Sequence, residues 1–235
     1  MTEFFFDICI ISMKKYIIIG LAIIILIGLV VVRSWLVAKN TPVISNSPAA
    51  SSSPPEKQVP NNTIQNNQAA LVAPIGQASG RVTKKPFGIF ITPQNSPVQP
   101  EKFYGYHTGT DFETFPEEQN NDVPIYAITS GKILLKKWAS GYGGVLVESG
   151  QINNGSVTII YGHLNLGSIT KNVGDTLDSG EQFSVLGKGY SQETDGERKH
   201  LHLGIHKGTG INILGYVNNK SDLGDWIDPM SVIQF

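Results

Sequence analysis

The chain has 235 residues, a length that allows one domain of ordinary size with accessory segments. Its 18 basic and 19 acidic side chains give a formal net charge of -1. This balance provides no basic face for nucleic-acid phosphates and argues against a nucleic-acid partner. The single cysteine, Cys9, lies near the start. The rest of the chain can therefore form neither a disulfide nor a cysteine-based metal site.

An uncharged apolar run, YIIIGLAIIILIGLVVV, occupies residues 16–32. Its length is close to the roughly 20 residues with which a helix spans a bilayer. Lys14 and Lys15 precede it, which favours a cytoplasmic N-terminus. The run is longer than a usual signal peptide core, so we expect residues 1–39 to form a cytoplasmic start and a single-pass signal anchor. A cleaved signal peptide, which would release a secreted protein, is the alternative.

Residues 40–79 are rich in Pro, Ser, Asn, Gln and Ala, and they include SNSPAASSSPPEK and PNNTIQNNQAA. The segment has too few apolar side chains to offset the entropy lost on ordering. We therefore expect a flexible, partly extended linker that holds the following domain outside the membrane.

Residues 80–235 differ in composition: short runs rich in Val, Ile, Tyr and Thr are interrupted by Gly, Asn and Asp. Turn signals every eight to twelve residues or so are typical of an all-β sandwich or barrel. No amphipathic run of helical length is present in this region. The expected strands are residues 88–92, 124–129, 132–137, 144–149, 156–163, 182–186 and 200–206.

All five histidines of the chain fall in this β-domain: His107, His163, His200, His202 and His206. The first belongs to the pattern His107-x-x-x-Asp111, whose β-branched residues and glycine argue against a helix. We expect a loop entering a strand. Imidazole and carboxylate are both good zinc ligands, but this pattern alone also fits a polar loop.

His200-Leu201-His202 lies in the last expected strand. Side chains alternate between the two faces of a strand, so the two histidines share one face. The apolar residues of the opposite face mark the core side: Leu201, Leu203 and Ile205. Two adjacent imidazoles favour a metal site in a groove over a polar sheet edge. His206 shares their face but is expected to be a solvated residue near the strand end.

The order His107-x-x-x-Asp111, Tyr161-x-His163 and His200-x-His202 resembles the lysostaphin-type (LytM-like) zinc endopeptidases, metallopeptidase family twenty-three. Several further stretches between residues 87 and 235 are similar to that family: residues 122–127, 130–133, 141–147, 173–181 and 228–229.

The resemblance implies an antiparallel barrel-sandwich fold, the duplicated hybrid motif, for residues 80–235. It also implies that His107, Asp111 and His202 bind one Zn²⁺, with the fourth position left for water. His163 and His200 would then be the catalytic pair that handles protons and the oxyanion. The residues alone leave open whether His200 or His202 is the ligand.

The implied function is a zinc metalloendopeptidase that hydrolyses amide bonds in peptidoglycan cross-links or stem peptides outside the cytoplasm, as a monomer. The main alternative is a non-catalytic peptidoglycan-binding or hydrolase-activating module on the same fold. Two others stay open. One is a different metalloenzyme with two histidines and a carboxylate, such as an Fe(II) or cupin site. The other is a structural zinc site with His163 or His206 as fourth ligand.

Three stretches depart from the family pattern: residues 116–121, 189–199 and 211–225. They lie where the walls of a groove are expected, so they leave the substrate preference open without affecting the metal motif.

Overall fold

The computed structural model of the protein describes residues 71–235. The predicted signal anchor and most of the predicted linker therefore lie outside the described residues. Within residues 71–235, no helix combines the length and apolar character needed to cross a membrane.

Eleven strands account for the regular structure of this region, which confirms the all-β prediction. They are β1 (Phe90–Ile91), β2 (Gly105–His107), β3 (Gly109–Glu113), β4 (Pro124–Tyr126), β5 (Gly131–Ala139), β6 (Gly143–Ile152), β7 (Gly155–Gly162), β8 (Thr176–Leu177), β9 (Gln182–Val185), β10 (His200–Lys207) and β11 (Tyr216–Val217). The helices among the described residues are short 3-10 turns: Ala78–Gly80, Pro116–Glu118, Leu166–Ser168, Gln192–Thr194, Lys220–Asp225 and Pro229–Ser231.

The strands form three antiparallel sheets. The largest has six strands in the order β3-β10-β7-β6-β5-β8, and the smaller ones are β1-β2-β11 and β4-β9. A two-residue turn joins β6 to β7, where Asn153 and Asn154 have φ values of 50° and 63°. Positive φ at both central residues is the geometry that matches the twist of a tight hairpin, and asparagine tolerates it. Long-range pairing places β10 between β3 and β7.

The core lies against the large sheet and follows the predicted alternation. Leu201, Leu203 and Ile205 of β10 are fully buried in the main apolar cluster. Ile159 and Tyr161 of β7 belong to the same cluster. Burial of these side chains removes apolar area from water at about 25 cal/mol per Å² and fixes which face of β10 carries the histidines.

Residues 71–79, which the composition assigned to the linker, pack against the β-domain. Leu71, Ile75 and Ala78 are buried in the main cluster. Leu71 forms a parallel bridge with Ile233, and its carbonyl oxygen accepts a hydrogen bond from Gln234 N at 3.0 Å. The packed domain thus includes residues on the N-terminal side of the boundary expected at residue 80, because three apolar side chains in a polar stretch are enough to anchor it.

The histidine and aspartate of the first motif lie on strands, where the sequence indicated a loop. His107 is the last residue of β2, and Asp111 lies in the middle of β3. Every residue of β3 is buried, including the polar ones, so the strand lacks the alternation of apolar and polar residues that would have revealed it.

Candidate metal centre

Strand register brings three ligand residues to one point. In the β10–β3 pair, His202 lies opposite Asp111, and in the β10–β7 pair it lies opposite Gly162. His107 is the last residue of β2, and one residue separates it from the start of β3. The ligand atoms of His107, Asp111 and His202 all lie within 4.8 Å of one another, and all three residues are buried.

The triangle of donor atoms is compact. His107 Nε2 lies 3.0 Å from His202 Nδ1 and 3.3 Å from Asp111 Oδ1. His202 Nδ1 lies 3.1 Å from the same carboxylate oxygen. Tetrahedral ligands at about 2.0–2.1 Å from a zinc ion lie about 3.3–3.4 Å from one another. Two nitrogens and one oxygen at this spacing therefore fit a tetrahedral zinc ion.

A backbone contact sets the tautomer of the first ligand. His107 Nδ1 lies 3.2 Å from the carbonyl oxygen of Pro86, which can only accept a hydrogen bond. The hydrogen of a neutral ring is therefore on Nδ1, and the lone pair of Nε2 faces the triangle. His202 presents Nδ1 to the triangle, while its buried Nε2 has no partner among residues 71–235.

Gly109 allows this close approach. A Cβ atom at Gly109 would lie 2.5 Å from the carbonyl oxygen of Leu203 and 2.7 Å from the ring of His202. Any side chain there would have to displace β10 or the imidazole. The glycine in the centre of the first motif is thus a requirement of packing around the donor triangle.

The other two predicted site residues, His163 and His200, lie beside the triangle with their rings in contact, tilted by 38° and with centroids 4.2 Å apart. His200 Nδ1 lies 2.9 Å from the carbonyl oxygen of Arg198, so this nitrogen donates. His200 Nε2 is then the nitrogen without a hydrogen in a neutral ring, and it lies 3.3 Å from Asp111 Oδ2. The geometry leaves Nε2 available to accept a proton.

Burial and neighbouring charges shift the pKa values of the site. Burial would raise the pKa of the Asp111 carboxyl, but its electrostatic interactions with His200 and His107 hold that pKa well below its usual range. Burial lowers the pKa of His163 well below its usual value, and the charge of His200 adds to this. Burial also lowers the pKa of His202, to about 4, against the opposing hydrogen bond to Asp111. His163 and His202 are therefore neutral near pH 7, the form in which an imidazole binds a metal or accepts a proton.

These residues line a cleft with a volume of about 270 Å³. Two tyrosines, Tyr142 and Tyr216, form part of its wall. The hydroxyl of Tyr142 is buried and has no partner within the described region, and its ring packs edge-on to that of His202 at 5.3 Å. Tyr216 comes from the added stretch 211–225, pairs with His107 across β11 and β2, and accepts a hydrogen bond from Lys85 Nζ at 3.1 Å.

The sequence reasoning did not identify four polar residues around the ligands: Glu113, Tyr142, Arg198 and Tyr216. For two of them a signal was present. Glu113 follows Asp111 by two residues and Arg198 precedes His200 by two, so each shares the face of a site residue along an extended chain. For the tyrosines no sequence pattern links them to the histidines, because long-range pairing and loop packing bring them there.

His206 lies apart from the triangle. Its ring packs edge-on to that of Trp226 at 4.9 Å, and the two residues form a β-bridge. The residue is half-buried, where the sequence indicated a solvated position. Trp226 follows the added stretch, which explains why its contact with the strand end was not expected.

One comparison with known proteins covers the segment that carries this site. Residues 105–213 match the family model of peptidase family M23. No curated protein matches the chain. Among solved structures, Csd3 from Helicobacter pylori is 16% identical, with a TM-score of 0.43, over 71% of this chain and 35% of the Csd3 chain.

Two further solved structures are similar over more of their own length. LytU is 26% identical, with a TM-score of 0.43, over 64% of this chain and 82% of the LytU chain. The catalytic domain of the antimicrobial peptidase lysostaphin from Staphylococcus simulans is 22% identical, with a TM-score of 0.42, over 62% of this chain and 86% of that chain. All five predicted site residues lie within residues 105–213, the segment that matches the model of peptidase family M23.

Proposed function

We propose that the protein is a zinc metalloendopeptidase with one Zn²⁺ held by His107, Asp111 and His202. The observation that carries the proposal is the donor triangle, with its spacings of 3.0, 3.1 and 3.3 Å, at the wall of a cleft. A zinc ion bound by three protein ligands would supply Lewis acidity and a nucleophilic water near neutral pH.

His200 and His163 are the residues that would handle protons. His200 donates through Nδ1 to the Arg198 carbonyl, so its Nε2 is oriented to accept a proton beside Asp111. The ring of His163 contacts that of His200, and its buried Nδ1 has no partner among the described residues. In our proposal His200 is the general base that takes the proton of the water and passes it to the leaving amine, and neutral His163 donates a hydrogen bond to the developing oxyanion.

The substrate we propose is the peptide part of peptidoglycan, cut in its cross-links or stem peptides. The match of residues 105–213 to family M23 supports a peptide substrate, and the donor triangle lines a cleft that substrate could enter. The apolar run at residues 16–32 supports a single-pass anchor that holds the domain outside the cytoplasm. We further propose the barrel-sandwich architecture of the duplicated hybrid motif and a monomeric state.

A comparison of two histidine variants in the full-length protein tests the assigned roles. His202→Ala removes a ligand, so we expect loss of both bound zinc and peptidoglycan hydrolysis. His200→Ala leaves the three ligands in place, so zinc content should stay near one per chain while the hydrolysis rate falls by about 100- to 10,000-fold. Metal analysis and product release from purified peptidoglycan are the two measurements.

Equal zinc loss in both variants would contradict the assignment of His200 as a non-ligand. Stoichiometric zinc in a wild-type protein that releases no fragments would instead favour the non-catalytic wall-binding module.

A further inference from the structure

The two oxygens of the Asp111 carboxylate have separate partners. Oδ1 faces the donor triangle, 3.3 Å from His107 Nε2 and 3.1 Å from His202 Nδ1. Oδ2 accepts a hydrogen bond from Arg198 Nη2 at 2.8 Å and lies 3.3 Å from His200 Nε2. The carboxylate is therefore held in an orientation that offers a single oxygen to a metal.

The carboxylate of Glu113 holds the Arg198 guanidinium in place. Arg198 Nε lies 3.0 Å and 2.9 Å from the two oxygens of Glu113, and its Nη2 bridges between Glu113 and Asp111. Asp111 and Glu113 are two residues apart on β3. The planar fork of arginine can satisfy two carboxylates at fixed angles, which the point charge of lysine does not.

Burial makes this cluster costly to break. Arg198, Asp111 and Glu113 are 7%, 2% and 9% exposed. Arg198 is the buried cation between these two carboxylates. Lys84 Nζ also lies 3.4 Å from Glu113 Oε2, but the Lys84 side chain is 43% exposed and so is largely hydrated. Without the guanidinium, Asp111 and Glu113 would lose a buried positive charge, and Asp111 would lose the hydrogen bond that Oδ2 accepts from Nη2.

We propose that Arg198 is a positioning residue of the metal centre, which keeps Asp111 a one-oxygen ligand and so preserves an open coordination position. This inference rests on the proposed zinc site. The same residue also orients His200, because its carbonyl oxygen accepts the hydrogen bond from Nδ1. Arg198 lies in the stretch 189–199 that departs from the family pattern, so its contribution is a feature of this chain's own loop.

The test compares Arg198→Gln and Arg198→Lys with Lys132→Gln, which removes one positive charge from an exposed position on β5. Zinc affinity is measured on the full-length protein by competition with a chromophoric chelator. The visible absorption of the cobalt(II)-substituted protein reports the coordination number. Hydrolysis of peptidoglycan is followed in parallel.

Arg198→Gln should weaken zinc binding by about 10- to 100-fold and lower the intensity of the cobalt bands, because Asp111 becomes free to bind through both oxygens. Arg198→Lys restores the charge without the fork, so it should recover thermal stability but not the wild-type cobalt spectrum. Lys132→Gln should match wild type in each measurement.

Wild-type zinc affinity and an unchanged cobalt spectrum in Arg198→Gln would overturn the inference, and so would full recovery by Arg198→Lys. Both readouts are taken without substrate. A wild-type protein that binds zinc but does not hydrolyse peptidoglycan would therefore refute the proposed function and leave this test intact.

Discussion

His163 adopts a left-handed backbone conformation at the end of β7, with a φ of 62°. For a residue other than glycine such a conformation costs about 1–3 kcal/mol and persists only where the surroundings impose it. Here Leu164 N donates to the Gly144 carbonyl at 2.9 Å, and Gly187 N donates to the His163 carbonyl at 2.8 Å. The strained backbone places the imidazole against His200, which is consistent with selection for a function of that ring.

Replacement of His163 by asparagine separates the backbone from the imidazole. Asparagine tolerates the left-handed region, so His163→Asn should keep a free energy of unfolding near that of wild type. Loss of the ring should reduce peptidoglycan hydrolysis by about 100- to 10,000-fold. The matched control is His206→Asn, which lies apart from the donor triangle and should retain activity. Nearly wild-type hydrolysis by His163→Asn would remove this residue from the mechanism.

The residue types of the site could be predicted from the sequence, but much of its supporting structure could not. His107, Asp111 and His202 come together as the resemblance implied, and their roles as ligands stay predictions. Arg198 and Tyr216 reach the cleft from the stretches 189–199 and 211–225, whose path depends on tertiary packing. No local pattern reports such packing.

At the scale of elements, a strand could be recognised from the sequence where apolar and polar residues alternate along it. β10 was predicted because its apolar residues occupy one face, and the buried positions of Leu201, Leu203 and Ile205 confirm it. β2 and β3 were not recognised, because their buried residues are mostly polar and find partners on other strands. Strands β8 and β11 have two residues each, which is too short for an alternation of apolar and polar residues to be seen.

β6 carries a carboxyl group inside the core. Glu148 is fully buried, and its Oε2 accepts a hydrogen bond from the Tyr161 hydroxyl at 2.8 Å. Its Oε1 has no partner among residues 71–235. Burial raises the pKa of Glu148 from 4.5 to about 8; the charge of Glu181 adds to the rise, and the Tyr161 hydrogen bond opposes it.

This raised pKa predicts how stability changes with pH. The folded protein holds a proton on Glu148 that the unfolded chain releases, so the contribution to stability is complete below about pH 4.5 and is lost as pH rises to about 8. Glu148→Gln cannot ionise. Its free energy of unfolding relative to wild type should therefore increase between pH 5 and 8, by on the order of a few kcal/mol. Urea unfolding at several pH values measures this, and a difference that does not vary with pH would show that Glu148 ionises normally.

At the scale of the whole molecule, the two ends of the described region meet. Leu71 pairs with Ile233, and Val72 N donates to the Ile128 carbonyl at 3.0 Å. The segment before residue 80 therefore closes the core, and composition alone could not reveal this because the apolar residues are few and widely spaced.

Truncation of Leu71 tests that closure. Leu71→Ala removes a side chain that is 4% exposed, and should lower the free energy of unfolding by about 2–5 kcal/mol. Zinc affinity should stay unchanged, because the metal centre lies on other elements. Val173→Ala, at a residue that is 57% exposed, is the matched control and should change little. Equal stability of both variants would mean that residues 71–79 add nothing to the fold.

The most direct test of the central claim is digestion of purified peptidoglycan by the full-length protein, with and without a chelator, followed by mass spectrometry of the released fragments. The zinc endopeptidase account predicts new amine and carboxyl ends within stem peptides or cross-links. These ends should be absent with the chelator and return when zinc is added. Intact peptidoglycan in the presence of zinc-loaded protein, or cleavage that the chelator leaves unchanged, would contradict it.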